Sequence, residues 1–335
     1  MRVLLTGGSS LLARSTAERL LARGDDVVLF QRSPAALDVP QMLGDIRDAD
    51  LVERAVGECD AVIHLAAKVG VVGSWDDYRS INVDGTANVV AAARRHGIAR
   101  MVHVSTPSVA HAGEALVGVG ATPAVTGRSG AWYAESKAIA EHLVQHAAGP
   151  QLPIVVIRPH LVWGPGDTQL VGRIIERARA GRLALVGDGT ALIDTTYIDN
   201  ASSALVAALD AIGPDATCLG RSYVIANGEP RPVAELVAGI CHAAGVDITP
   251  RRVPRRLAIG AGALVERMWA LRGPDAGEPP LTRFLAEQLG TAHWFDPRPA
   301  RDDLGWAPTV TVDEGLARLA ASFRTTPTPP TQPSR

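Results

Sequence analysis

Short, almost continuously apolar runs recur along the first half of the chain and alternate with longer segments that have helical spacing of apolar residues. The runs are VLL at 3–5, VVLF at 27–30, DAVIHLAA at 60–67, MVHVS at 101–105 and PIVVIRP at 153–159. Strands that are apolar throughout are typical of a parallel sheet covered by helices on both faces. The alternation therefore predicts an α/β fold with a doubly wound parallel sheet.

The first predicted strand runs into a glycine turn and then a helical pattern, MRVLLTGGSSLLAR. This arrangement favours anion binding, because free backbone N–H groups and the helix dipole point at a phosphate. Gly7, Ser10 and Ala13 stand at the three small-residue positions of a dinucleotide loop, where glycine is usual at the middle one. Ser10 crowds the pyrophosphate, but its hydroxyl can hydrogen-bond a phosphate oxygen. We predict a working cofactor loop; the alternative is a glycine-rich turn without a ligand.

The end of the second predicted strand indicates which dinucleotide is bound. NAD-specific folds place an acidic residue there to hold the ribose 2′-hydroxyl. This chain has Gln31 and Arg32 instead. Arg32 can pair with a 2′-phosphate, and Arg14 can add to that contact. The missing carboxylate favours NADP(H) over NAD(H); the alternative is two solvated surface arginines.

A tyrosine and a lysine stand four residues apart in WYAESKAIAEHL, so that Tyr133 and Lys137 share one helix face. Tyrosine has a reference pKa of about 10, which a neighbouring ammonium can lower by about 1–3. The pair would then act as a general acid/base near neutral pH. Ser105, Thr106 and Ser108 follow a predicted strand in HVSTPSVAH, and one of these hydroxyls can hold a substrate carbonyl. Loop, hydroxyls and tyrosine–lysine pair together indicate an oxidoreductase.

Composition limits the class of protein. The 335 residues carry a net charge of −2, which is not the basic excess expected of a nucleic-acid-binding protein. Three widely spaced cysteines favour free thiols in a reducing compartment, and no His or carboxylate pair has metal-ligand spacing. The sequence shows no signal peptide and no apolar run of about 18 residues. We therefore expect a cytoplasmic enzyme with a small-molecule substrate and no metal.

The rhythm of strands and helices changes after residue 160. We predict that residues 1–160, together with about 195–228, form the dinucleotide-binding domain. Residues 161–194 and 229–322 would form a smaller substrate lobe. The tail 325–335 is rich in proline and threonine and cannot bury apolar surface, so we expect it to be disordered.

The order of motifs resembles that of the extended short-chain dehydrogenases/reductases from residue 1 to about 322. The similar segments are LLTGGSSLLA, GDIRD, HLAAKVG, INVDGTANV, VSTPSV, YAESK, IRPHLVWGPGD and YIDN. The resemblance implies a Rossmann fold in which Tyr133 is the acid/base, Lys137 its partner and Thr106 the third catalytic residue. It implies cofactor contacts from Gly7, Ser9, Ser10, Leu11, Leu12, Gln31, Arg32, Asp45, Ile46, Ala66, Ala67, Lys68, Asn82, Ser105, Lys137, Pro159, Leu161 and Val162. For Asn82, a structural helix amide is the alternative.

Ala191 and Ile193, which follow the GDG turn, indicate one branch of this superfamily. Its sugar-nucleotide epimerases carry glutamine and arginine where this chain has Ala191 and Ile193. A diphosphate would lose its charge partner there, which argues for an apolar substrate. The chain instead resembles the 3β-hydroxysteroid dehydrogenase-like branch. The segments that carry this resemblance are AAKVGVVGSW, STPSVAH, LVWGPGD, TTYIDN, NGEP and LTRFLAEQL.

Within that branch, the resemblance extends to reductases of bacterial olefin and β-lactone biosynthesis. It implies NADPH-dependent reduction of a 2-alkyl-3-oxoalkanoic acid, a β-keto acid, to the 2-alkyl-3-hydroxyalkanoic acid. We predict substrate contacts for Val69, Ser108, His111, Trp163 and Ile193. The alternatives are an NAD(P)-dependent 3β-hydroxysteroid or sterol dehydrogenase, a sugar-nucleotide epimerase or dehydratase, and a non-catalytic NADP-binding sensor.

Three further features concern the core and the surface. His64 and His103 lie in strand runs and are predicted to be core histidines with satisfied hydrogen bonds. The segment 251–271, RRVPRRLAIGAGALVERMWAL, places arginines before an apolar helical run. It predicts a packed helix of the substrate lobe, a roof over a lipid pocket, or a peripheral contact with a membrane or a pathway enzyme. A homodimer is a further expectation.

Overall fold

The computed structural model describes residues 1–70, 73–110, 114–127, 131–213, 216–272 and 282–325. Its strands are β1 (Arg2–Thr6), β2 (Asp26–Gln31), β3 (Gln41–Leu43), β4 (Ala61–His64), β5 (Arg100–Val104), β6 (Leu116–Val119), β7 (Ile154–Pro159), β8 (Val162–Trp163), β9 (Ala184–Val186), β10 (Leu192–Ile193), β11 (Thr196–Tyr197), β12 (Ser222–Ile225), β13 (Arg231–Pro232), β14 (Arg251–Val253) and β15 (His293–Phe295). The five apolar runs of the first half thus form β1, β2, β4, β5 and β7.

Helices fill the connections between these strands. They are α1 (Leu11–Ala22), α2 (Ala49–Gly57), α3 (Trp75–Tyr78), α4 (Gly85–Arg95), α5 (Trp132–Ala147), α6 (Val171–Arg179), α7 (Ile198–Ala211), α8 (Val233–Ala243), α9 (Arg255–Arg272), α10 (Arg283–Leu289), α11 (Arg298–Leu304) and α12 (Val312–Thr325). Among the described residues, no helix combines the length and the apolar character that crossing a membrane requires.

Seven strands form a parallel sheet in the order β12-β7-β5-β4-β1-β2-β3. This confirms the predicted doubly wound fold. The strand order reverses between β1 and β4. In sheets of this kind the carboxyl ends of the strands open a crevice at that point, and ligands bind there.

Apolar side chains cover both faces of the sheet, because successive residues of a strand point to opposite sides. Leu5 and Leu29 belong to a core that includes side chains of α1 and α7. Leu4 and Val28 belong to a second core, which includes side chains of α2, α4 and α5. The sheet is therefore buried between two helical layers, and among the described residues its functional groups are reached from the strand ends.

Glycines stand just after two of the helical patterns, where a left-handed residue often ends a helix, and the structure confirms such turns. Gly24, beyond α1, has a φ of +89°, and Gly97, beyond α4, has a φ of +61°. The spacing of apolar residues predicts that Leu21 shares one buried helix face with Ala13, Ala17 and Leu20, and for Leu21 this is wrong. Leu20 is fully buried, whereas Leu21 is 38% exposed, because the next residue along a helix points about 100° away.

A third apolar core lies among the later elements and includes side chains of α6, α8 and α12. Next to it, β13, β10, β15 and β6 form a four-stranded sheet. The boundary drawn between a cofactor domain and a substrate lobe stays a prediction. The predicted disordered tail lies, from residue 326 onward, outside the described residues.

Candidate active site

The glycine turn lies at the point where the strand order reverses. Thr6 ends β1, and Gly7 follows with a φ of +71°. A Cβ on Gly7 would lie 2.9 Å from the backbone of Ala66, just past β4, and a Cβ on Gly8 would collide with the side chain of Gln31. Only glycine fits at both positions, so the loop backbone lies directly against the ends of two neighbouring strands.

Ser10 caps the helix that follows this turn. Its Oγ accepts a hydrogen bond from the backbone N–H of Ala13 at 3.2 Å. The sequence interpretation gave Ser10 a phosphate contact and missed this cap. Because the hydroxyl accepts from the helix, its own proton remains available to a phosphate oxygen. Ser9 is exposed in the turn, and Leu11 and Leu12 begin α1.

Gln31 ends β2 with a buried amide oxygen that has no hydrogen-bond partner in the described structure. Its Nε2 donates to Gln41 Oε1 at 2.7 Å, and that oxygen also accepts from the N–H of Ala35. These contacts fix the orientation of both amides. The free Oε1 of Gln31 therefore faces the glycine turn as an acceptor, which suits a ribose hydroxyl and fits a dinucleotide at this loop.

Arg32 follows as an exposed residue that forms no ion pair within the described chain. The nearby carboxylate of Asp45 is already paired with Arg47 at 2.7 Å, and that hydrogen-bonded pair holds the pKa of Asp45 below its ordinary value. Arg14 pairs with Glu18 at 2.9 Å. Of the two predicted arginines, Arg32 is thus the one that is unpaired.

The three predicted catalytic residues lie together where β5 ends. Tyr133 and Lys137 are one turn apart on α5, and the side chain of Tyr133 is hydrogen-bonded to Thr106. Lys137 Nζ donates to the carbonyl of Val104 at 2.7 Å. The N–H of Ser108 donates to Thr106 Oγ1 at 3.3 Å. These contacts fasten the helix to the strand end that carries the hydroxyls.

The predicted lowering of the Tyr133 pKa is wrong for this structure. Burial raises the pKa of Tyr133 to about 12, although the Thr106 hydrogen bond lowers it in part. Burial also lowers the pKa of Lys137 to about 8, against the opposing charge of Glu141. The ammonium is directed at the Val104 carbonyl. Tyr133 is therefore in its protonated phenol form at neutral pH and has a proton to donate.

Ser105 cannot substitute for Thr106, because its hydroxyl donates to Glu141 Oε2 at 2.5 Å. Glu141 lies one turn beyond Lys137, is fully buried, and forms an ion pair of 2.5 Å with the buried Arg158. Burial raises the pKa of Glu141, but Arg158 and the hydroxyls of Ser105 and Ser222 outweigh it and lower the pKa overall. Sequence reasoning missed this pair; a charge inside an apolar strand was the available signal.

Asn82 connects the loop after β4 with α5. It lies in a single π-helical turn, Arg79–Asp84. Its Oδ1 accepts from the N–H of Lys68 at 2.7 Å, and its Nδ2 donates to the Lys68 carbonyl at 3.0 Å and to Ser136 Oγ at 2.9 Å. Ser136 in turn donates to the carbonyl of Tyr133. Asn82 thus fixes the loop relative to the catalytic helix.

The two strand histidines differ. His64 is satisfied, with ring nitrogens 2.7 Å from Thr6 Oγ1 and 3.0 Å from Thr86 Oγ1, as predicted. His103 was predicted to be satisfied as well, and this is wrong, since neither of its buried ring nitrogens has a partner among the described residues. Burial and the charge of Lys137 lower the pKa of His103 far below its ordinary value, so its ring is neutral.

The remaining predicted cofactor residues lie at or near the strand ends of the same sheet edge. Ala67 follows β4, and Pro159 ends β7. Leu161 has a φ of +41°, an unusual conformation for a residue other than glycine, and Val162 begins β8. Ile46 is buried after β3. Their contacts with a cofactor stay predictions.

The predicted substrate residues are placed differently from one another. Val69 is 57% exposed, and Ser108 lies beside Thr106. Trp163 and Ile193 are almost fully buried in the third apolar core and do not face solvent. His111 lies outside the described residues. Contact of these residues with a substrate stays a prediction.

Comparison with known proteins identifies the family. Residues 3–226 match the NAD dependent epimerase/dehydratase family. The chain therefore belongs to this family of extended short-chain dehydrogenases/reductases, as the motifs predicted. An NAD-dependent family agrees with the dinucleotide site expected at the glycine turn.

The relatives include reductases and steroid dehydrogenases. A 2-alkyl-3-oxoalkanoate reductase of Stenotrophomonas maltophilia (strain K279a) is 48% identical, over 96% of this chain and 99% of the relative. A protein of the same description from Shewanella oneidensis is 39% identical, over 95% and 85%. A 3-beta-hydroxysteroid dehydrogenase of Mycolicibacterium neoaurum is 31% identical, over 94% and 89%. These relatives confirm the predicted resemblance to the 3β-hydroxysteroid dehydrogenase-like branch.

A solved structure shows the same fold. The UDP-glucuronic acid 4-epimerase from Bacillus cereus in complex with NAD has a TM-score of 0.74 at 21% identity. The match covers 97% of this chain and 99% of that chain.

Proposed function

We propose that the protein reduces 2-alkyl-3-oxoalkanoic acids to 2-alkyl-3-hydroxyalkanoic acids with NADPH. The observation that carries this proposal is the contact of a protonated Tyr133 with Thr106 at the end of β5, beside Lys137. The relatives that match almost the full chain at 48% and 39% identity support this choice of substrate.

Each residue of the site has a separate role in the proposed carbonyl reduction. NADPH, when bound, supplies a hydride to the keto carbon. In this proposal Thr106 and Tyr133 donate hydrogen bonds to the keto oxygen, which stabilises negative charge as it develops. Tyr133 then gives its proton to that oxygen, a favourable transfer because an alkoxide is more basic than a phenolate whose pKa is about 12. Lys137 keeps positive charge beside the site up to a pH of about 8.

The same residues would also serve the reverse reaction, because a catalyst accelerates both directions. Oxidation of an alcohol would use Tyr133 as a phenolate base, the form that burial disfavours. The steroid dehydrogenase reading has support from relatives at 31% identity, so it is the second candidate. It predicts faster turnover with a 3β-hydroxysteroid and an oxidised cofactor than with a keto acid and NADPH.

The test is a direct assay of the purified chain. We expect NADPH to be consumed with a 2-alkyl-3-oxoalkanoic acid, and mass spectrometry to show the 2-alkyl-3-hydroxy acid. Steroid substrates with NAD⁺ or NADP⁺, and UDP-sugars, serve as comparisons. Cofactor binding without turnover of any of these would support the sensor alternative and refute the reductase.

The choice of NADPH rests on the unpaired Arg32 and the absence of an acidic residue after β2. Arg32→Ala should weaken NADPH binding by about 1.5–3 kcal/mol, the range for a hydrogen bond to a charged group, and leave NADH binding nearly unchanged. Titration of both cofactors measures this difference. The matched control is Arg14→Ala, because that arginine is paired with Glu18. Equal affinities of the original chain for NADPH and NADH would contradict the proposal.

We also propose that α9 binds an anionic membrane surface. Leu257, Leu264 and Met268 are 64%, 61% and 44% exposed, and their spacing of seven and four residues places them on one helix face. Arg256 and Arg267 are spaced to lie along one edge of this face and are exposed, without an ion pair among the described residues. Such a helix binds by inserting apolar side chains below lipid headgroups that its arginines attract. The opposite face packs on α10, as the packed-helix interpretation expected.

Sedimentation with vesicles tests this surface. The chain should bind vesicles that contain phosphatidylglycerol, bind pure phosphatidylcholine vesicles far less, and lose binding in Leu257→Ser/Leu264→Ser. Phe323→Ser, an exposed apolar residue of α12, is the control. Equal sedimentation with and without vesicles would refute lipid binding. Self-association that the double variant abolishes would show that this face binds a second copy of the chain instead.

A further inference from the structure

Large apolar side chains lie exposed next to the catalytic tyrosine. Trp132, the residue before Tyr133, is 52% exposed, and Val69 is 57% exposed. Trp75 packs against Trp132, with ring centroids 5.5 Å apart and the planes tilted by 50°. We call Val69, Trp75 and Trp132 the apolar rim. Trp75 is partly buried. Exposed apolar side chains such as Trp132 and Val69 cost solvation free energy, and apolar surface beside a reactive group marks a binding surface.

Two sets of hydrogen bonds hold the rim in place. The loop that carries Val69 is fixed to α5, because Asn82 binds both backbone groups of Lys68 and also Ser136. Trp75 begins α3 directly after a capping box, in which Ser74 Oγ accepts from the Asp77 N–H at 3.2 Å and Asp77 Oδ2 accepts from the Ser74 N–H at 3.1 Å. The rim is therefore preorganised, and binding need not order it.

We propose that the apolar rim binds the alkyl chain that extends from the keto carbon of the substrate, while the keto group lies against the side chains of Thr106 and Tyr133. This inference rests on the proposed function and adds the residues that select for chain length. Each indole ring offers an apolar face and a single N–H donor, so the rim matches a hydrocarbon chain. None of the three rim side chains carries a positive charge that would pair with a diphosphate. Trp75 and Trp132 would thus be specificity-determining residues, with no part in the proton transfer.

The experiment compares a long and a short keto acid in the complete chain with NADPH. Trp132→Ala should raise the KM for 3-oxododecanoate about tenfold, the loss expected when one or two methylene groups leave an apolar contact. Its kcat, and the KM for 3-oxobutanoate, should change by less than about twofold. Trp132→Phe should restore most of the KM, because the aromatic face is retained. Phe323→Ala, on α12, is the control at an exposed apolar residue remote in sequence.

A second measurement tests alkyl-chain binding at the apolar rim independently of turnover. Calorimetry with dodecanoate in the presence of NADPH needs no turnover, and Trp132→Ala should weaken this binding about tenfold, with no effect of Phe323→Ala. If no keto acid is reduced but dodecanoate binding depends on Trp132, the proposed function fails and the rim stands. If keto acids are reduced with the same chain-length dependence in Trp132→Ala, the rim is refuted.

Discussion

The catalytic end of the site and its cofactor loop differ in how their polar groups are satisfied. At the catalytic end, Lys137 and Glu141 are buried and bonded to protein partners. At the loop, Gln31 has an amide oxygen without a partner and Arg32 has no ion pair within the described chain. A ligand gains binding free energy when it forms the hydrogen bonds or ion pairs that the protein leaves unformed. The loop is thus arranged to bind, whereas the catalytic end is held rigid before anything binds.

The largest expected effect separates these two tasks. Tyr133→Phe removes the proton donor and keeps the ring, so kcat should fall by about 10²–10⁴-fold, the usual contribution of a positioned acid. NADPH affinity should stay within about twofold, because the loop groups are unchanged. Steady-state kinetics and a cofactor titration on the same preparation measure both. Normal turnover in this variant would remove Tyr133 from the mechanism.

The buried ion pair behind the site should matter for folding. Glu141→Ala leaves the Arg158 guanidinium buried without its partner, which typically costs about 3–5 kcal/mol of the free energy of unfolding. Chemical denaturation measures the loss, and Glu18→Ala, in an exposed pair, should change little. The double variant Glu141→Leu/Arg158→Met should recover most of the stability, because no buried charge then remains. A double variant as unstable as Glu141→Ala would contradict this account.

The pH dependence of the reduction should follow Lys137. Its pKa is lowered to about 8, so it is charged below that pH and loses its charge as the pH rises through that value. Tyr133, with a pKa of about 12, remains protonated over the same range. If the positive charge assists the reaction, kcat/KM should be level near neutrality and fall by up to about tenfold per pH unit above 8. A profile that stays level to pH 10 would exclude this role of Lys137.

His64 and His103 repeat the comparison between satisfied and unsatisfied groups within the sheet. His64→Leu breaks hydrogen bonds to Thr6 and Thr86 and should cost about 1–3 kcal/mol of the free energy of unfolding. His103→Leu removes two buried nitrogens that have no described partner, so stability should be unchanged or higher. Thermal or chemical unfolding of both variants measures the difference. A larger loss from His103→Leu would show that its ring has a bonding partner, such as a buried water.

The sequence predicts the sheet well, because strands that are buried on both faces are apolar at almost every residue and can be recognised locally. The runs that became β1, β2, β4, β5 and β7 are apolar throughout, and the spacing of Tyr133 and Lys137 places them on one helix face. Spacing says nothing of burial, however, and burial reverses the expected pKa shift of Tyr133. Glu141 and Arg158 are 17 residues apart in chain order, and their contact depends on how α5 packs on the sheet. Exposure of Trp132 likewise depends on tertiary position.

The smallest expected effect concerns the cofactor loop itself, where Ser10 stands in place of the usual glycine. Its Oγ accepts from the Ala13 N–H, and its proton can reach a phosphate oxygen. Ser10→Gly should change NADPH affinity by about 1 kcal/mol or less, the net scale of one hydrogen bond, and cost a few tenths of a kcal/mol in stability, because glycine is an acceptable N-cap. Ser10→Ala keeps the Cβ and loses the hydroxyl, so it should bind NADPH more weakly than Ser10→Gly. NADPH titration of the original chain and the two variants shows whether the crowding by the Cβ of Ser10 or the hydrogen bond from its hydroxyl has the larger effect. If the glycine variant alone binds NADPH, the Cβ of Ser10 blocks the loop, and the cofactor site proposed here is refuted.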